Sequence, residues 1–75
     1  MSLHDYKGHH ITLIPSPEGS MWACQYVIRQ PGKTEVDGFP DRTYFSREEA
    51  ESAALARAKW LIDESHTNKD SGVKT

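Results

Sequence analysis

Polar and apolar residues alternate along His9-His10-Ile11-Thr12-Leu13-Ile14, with Ile11 and Leu13 on one side, the period of a half-buried strand. Pro15-Ser16-Pro17-Glu18-Gly19-Ser20 then reads as a loop, because two prolines remove backbone donors. The strongest strand pattern runs from Met21 to Gln30. Trp22, Cys24, Tyr26 and Ile28 share one face, and Ala23, Gln25, Val27 and Arg29 share the other. Apolar residues on both faces predict a central strand. Pro31-Gly32-Lys33 breaks it, and Thr34 to Phe39 reads as a third strand. Pro40-Asp41 is a further turn, from which Arg42 to Phe45 leads extended into a helix. The opening Ser2 to Gly8 reads as an entry segment that ends on a turn glycine.

The period changes after Phe45. Ser46 followed three residues later by Glu49 has the spacing of a capping box. Glu48 and Glu49 fall in the first turn, where the helix dipole favours negative charge. Strong helix formers continue to about Asp63. Ala50, Ala54, Ala58 and Leu61 form the central stripe, flanked by Leu55 and Ile62 on one side and Ala53 and Trp60 on the other. Glu48, Ser52, Lys59 and Asp63 make the wet face. The reading is therefore α+β: a three-stranded antiparallel sheet followed by one amphipathic helix packed on one face (βββα). Residues 1–65 form a single domain, and 66–75, with nothing to bury, are expected to form a disordered tail.

Seventy-five residues leave room for one domain. A chain this short hides only about 60% of the surface its unfolded form exposes, so its core is thin and extra burial is favoured. The single cysteine excludes an internal disulfide. Together with the lack of a signal-like or membrane-length apolar run, it points to a reducing cytoplasm. Nine basic and eleven acidic side chains give a net charge of −2, which disfavours nucleic acid as the default partner.

The layout Tyr6-Lys7-Gly8, Trp22-Ala23, Ile28-Arg29 and Phe45-Ser46-Arg47-Glu48-Glu49-Ala50, followed by spaced alanines, resembles small uncharacterised bacterial βββα proteins. Over residues 6–62 it also resembles the DNA-binding domain of plant ethylene-response factors and the arm-binding domain of phage integrases. The resemblance implies a three-stranded sheet laid in the DNA major groove and backed by a helix. In the plant domain, arginines and tryptophans on the first two strands carry the DNA contacts. Only Trp22 and Arg29 can be carried over here, and His9 to Ile14 holds no arginine.

His4, His9 and His10, with Asp5 nearby, are ligand types for Zn²⁺. Adjacent strand residues point to opposite faces, however, so His9 and His10 do not share an ion and read as solvated polar residues. Cys24, mid-strand on an apolar face, reads as a small buried hydrophobe. Glu48, Glu49 and Glu51 diverge around the helix, and capping already explains two of them. No catalytic residue, metal or cofactor is expected. Phe45 is expected to staple onto Ala50. The aromatics exceed what one thin core hides, so Trp60, Trp22, Tyr26 and Tyr44 are the candidate protein-interaction residues. Lys7, Gln25, Arg29, Lys33 and Arg42 are the candidate nucleic-acid contacts. The expected role is a non-catalytic interaction module, with a homodimer or another protein as partner. A nucleic-acid-binding accessory domain using the exposed sheet face is the alternative.

Overall fold

Strand periodicity becomes an antiparallel meander and helix periodicity the single layer that covers it, which is the α+β arrangement expected. The computed structural model describes residues 1–40 and 42–74, with the side chains of the helix described as far as Ser65. Its elements are β1 (Ser2–Tyr6), β2 (His9–Glu18), β3 (Met21–Arg29), β4 (Val36–Gly38) and α1 (Arg47–Lys74). The strands lie side by side in chain order, every neighbouring pair antiparallel.

Three elements differ from the sequence reading. Ser2–Tyr6 is an edge strand rather than an entry segment, pairing Tyr6 with His9 and Ser2 with Leu13. Lys7 and Gly8, both at positive φ, make the two-residue turn that joins it to β2. The sheet thus has four strands instead of three.

Residues 15–18, expected as loop, continue β2. Trp22 and Tyr44 exchange two backbone hydrogen bonds of 2.7 and 2.8 Å on the side of β3 away from β2. The even-numbered residues of β3 therefore bond away from β2, and the odd-numbered ones bond towards it. Pro15 and Pro17 stand opposite Cys24 and Trp22. Their nitrogens face the other edge, which β1 leaves open beyond Leu13, so no ladder bond is lost.

The third strand is shorter than expected, Val36–Gly38 rather than Thr34 to Phe39. The helix continues past the end expected near Asp63, with no proline or glycine before Gly72 to stop it. The tail expected over 66–75 falls where side chains lie outside the described residues.

The core is one contact layer. Ile11 and Leu13 of β2, and Cys24, Tyr26 and Ile28 of β3, are buried against Ala50, Ala54, Ala58 and Ile62. Ile62, four residues beyond Ala58, completes the stripe in place of Leu61, which is half-buried beside it. The alanines carry no side chain beyond Cβ, so the helix backbone can lie close to the sheet. At the helix start the Glu49 N–H donates to Ser46 Oγ at 3.1 Å, and Glu49 Oε1 lies 3.4 Å from the same hydroxyl. Phe45 does not staple: its side chain is 83% exposed, and Ala50 is covered by the sheet instead. Lys59 and Asp63, expected on the wet face, turn towards β1. The Tyr6 hydroxyl donates to both Asp63 carboxylate oxygens at 3.0 and 3.1 Å, and Lys59 Nζ sits 5.2 Å above the Tyr6 ring.

Candidate interaction surface

The helix covers only one side of the sheet. Pairing in the sheet assigns the other side residue by residue. Leu3, Thr12, Val27 and Asp37 form one cross-strand row. Ile14 stands beside Gln25, Ser16 beside Ala23, and Glu18 beside Met21. Asp5, His10 and Arg29 form the row at the opposite end. Apolar and polar side chains are mixed in the middle of this face. Leu3 is 75% exposed and Ile14 38%, with Ala23 and Met21 half-buried. Val27 is only 8% exposed, so it adds little to the accessible apolar surface of this face.

Around it, three side chains engage carboxylates. His10 Nδ1 lies 2.7 Å from Asp5 Oδ1. Arg29 Nε donates to Glu35 Oε2. The Gln25 amide donates to Asp37 at 3.5 Å. Asp5, Glu18, Glu35 and Asp37 thus face Arg29 as the one arginine or lysine among the described residues of this face.

The candidate nucleic-acid residues do not converge. Gln25 and Arg29 share the outer face, each engaged with a carboxylate. Lys7 lies at the β1–β2 turn and donates to Asp63 at 2.6 Å, towards the helix. Asp63 also holds the Lys7 ammonium above its ordinary pKa of 10.5, chiefly through that hydrogen bond. Lys33 sits in the β3–β4 connection beside the helix, and Arg42 in the exposed segment before Tyr44.

The candidate protein-interaction residues also separate. Trp22, Tyr26 and Tyr44 belong to the helix-facing side: Tyr26 is buried, and Trp22 and Tyr44 pack against the core. Trp60 alone of the four is exposed, at 49%, on the outer side of the helix with the Arg57 guanidinium 4.6 Å from its ring. Exposed Trp60 and the open sheet face therefore belong to different layers of the molecule.

Leu3, the most exposed apolar residue of this face, was not among the candidates read from the sequence. Its signal was the alternation of Ser2, His4 and Tyr6 with Leu3 and Asp5, hidden because the apolar member points outward. Cys24 is buried, and burial pushes its thiol pKa up, with the Glu51 carboxylate adding to the shift. That is the opposite of an activated nucleophile. No helix among the described residues is long and apolar enough to cross a membrane. Among the same residues no three histidine, cysteine or acidic side chains cluster as a metal site would need. Compared with protein-family models, curated proteins and solved structures, the chain matches none of them.

Proposed function

We propose that this chain is a non-catalytic interaction module of the reducing cytoplasm, and that it binds protein through the uncovered face of its sheet, a second copy of itself first. The observation that carries the reading is an apolar band through Leu3, Ile14 and Ala23, broken by Thr12, Ser16 and Gln25, on the side of the sheet that the helix does not cover. Exposed apolar side chains interspersed with polar ones are what a partner surface presents. The unpaired Cys24 supports the reducing compartment.

Dimensions set the strength expected. Strand spacings of about 4.8 Å and a rise of about 3.3 Å per residue give the four-stranded face a projected area of roughly 400 Å². Side-chain relief raises the accessible area above that figure. It still falls at the low end of the roughly 800 Å² per partner of a standard interface. The dimer is therefore transient, with a dissociation constant in the micromolar range or weaker. The excess of carboxylates on this face weighs against a polyanion as partner.

The test is the mass of the full chain by sedimentation from micromolar to millimolar concentration, alongside Ile14→Asp. The wild type should move towards twice the monomer mass as concentration rises. Ile14→Asp should stay monomeric with an unchanged circular dichroism spectrum. A monomer mass throughout refutes self-association. Saturable, salt-sensitive amide shifts at Gln25 and Arg29 on titration with short DNA or RNA would replace this reading with the nucleic-acid alternative.

A further inference from the structure

On the helix-covered side, at the Arg29 end of β3, the sheet and α1 part around a groove of about 570 Å³. Its floor is Ile28, Val36, Leu61 and Ile62, where the helix stripe changes from alanine to larger side chains. Its rim is polar, with Gln30, Lys33 and Thr34 on the β3–β4 connection. The turn that carries Lys33 is fixed. The Lys33 N–H donates to the Gln30 carbonyl at 3.0 Å across Pro31-Gly32, and Gly32 takes φ +78°. Proline then glycine at these two positions is the chemistry of a type II turn.

The described lining of the groove includes no aspartate or glutamate. Acids outnumber lysine and arginine in the chain, and Lys7, Arg29 and Arg47 each sit against a carboxylate. Here Lys33 borders an apolar floor with hydroxyl and amide groups and His9 beside it, and the described lining residues hold no carboxylate. The volume lies within the range of small-molecule sites, about 300–1,000 Å³.

We propose that this groove binds an organic anion with an apolar body, a medium-chain fatty carboxylate by class. The chain lies along Ile28, Val36, Leu61 and Ile62, and the carboxylate meets the Lys33 ammonium. The site lies on the opposite side of the sheet from the proposed protein-binding face, so either proposal stands or falls without the other.

The experiment is a methyl and amide NMR titration of the full chain with decanoate, kept below its micelle concentration, and with decylammonium as the oppositely charged control. Decanoate should give saturable shifts centred on Ile28, Val36, Leu61 and Ile62, and decylammonium should bind more weakly. Lys33 is exposed, so Lys33→Gln should leave the spectrum of the free protein in place. It should raise the decanoate dissociation constant about two- to fivefold, the range of a solvent-exposed charge pair. The proposal is overturned by absent or unsaturable shifts at millimolar decanoate, by equal affinity for decylammonium, or by shifts centred on Leu3, Ile14 and Ala23.

Discussion

Gly38 and Tyr26 stand opposite each other on neighbouring strands, and the tyrosine ring lies across the glycine. A Cβ at Gly38 would sit 2.7 Å from Tyr26 Oη and 3.0 Å from Cζ, closer than carbon atoms approach without displacement. Tyr26 has little room to yield, being buried among the core side chains. Gly38→Ala therefore forces the ring out of its place, an overpacking that costs about 1–3 kcal/mol. Alanine also stiffens the unfolded chain, which returns about 0.4–1 kcal/mol. The net expectation is a loss of about 1–2 kcal/mol. That is large for a domain whose whole stability is of order 4–11 kcal/mol at ~0.05–0.15 kcal/mol per residue. At about 4–8 °C per kcal/mol, Tm should fall by roughly 5–15 °C in thermal unfolding followed by circular dichroism. Tyr26→Phe supplies the internal control, because it removes the nearer of the two atoms. In a double-mutant cycle, Gly38→Ala should cost less on the Tyr26→Phe background, with a coupling of about 0.5–1 kcal/mol. A Gly38→Ala protein as stable as the parent would refute the reasoning.

Other consequences can be checked in the same way. Ser46→Ala removes the acceptor of the Glu49 N–H and should lower stability by about 1 kcal/mol, read as a shift in urea midpoint at constant m-value. Tyr6→Phe or Asp63→Ala cuts bonds that tie β1 to the helix, so amide hydrogen exchange in Ser2–Tyr6 should accelerate while β3 stays protected. Cys24 in the folded protein should resist a thiol reagent under conditions where the urea-unfolded chain reacts at once. The folded thiol has its pKa raised above the ordinary 9.0. Its contribution to stability is complete below that value and fades as pH rises through the folded pKa. The parent should therefore lose stability above about pH 9 more steeply than Cys24→Ala does.

The central strand and the helix were legible because their patterns are long and their apolar faces coincide with burial. Trp22, Cys24, Tyr26 and Ile28 all face the helix, and Ser46 caps it as its spacing to Glu49 implied. β1 was not legible. Its inward residues are Ser2, His4 and Tyr6, so alternation there carries almost no hydrophobic contrast, and only the two-residue turn at Lys7-Gly8 marks a hairpin. The prolines of β2 misled for a different reason. Proline opposes a strand only where its nitrogen faces a partner, and which side that is depends on the register with β3, a tertiary fact. Pairing likewise decided the fate of the aromatics. Tyr26 and Trp60 look equally available in sequence, and one is buried while the other is half exposed.

The same backbone arithmetic bears on how this sheet can meet a partner. An edge-to-edge contact needs unpaired N–H and C=O groups along a strand. At the β2 edge beyond Leu13, Pro15 and Pro17 offer no N–H where a new strand would need one. At the other edge, β4 is three residues long, and Tyr44 occupies the backbone of Trp22 beyond it. β1 remains, five residues with Asp5 among them, and a charge on an edge strand discourages pairing. Short, proline-bearing or charged edges suppress open-ended growth of the sheet, whereas Leu3 and Ile14 stand exposed on its face. A partner that approached by strand addition would therefore gain few backbone bonds. One that approached face on would cover apolar surface, with the Arg29–Glu35 ion pair at its border. For the association proposed above, the geometry of the edges favours the face over strand addition.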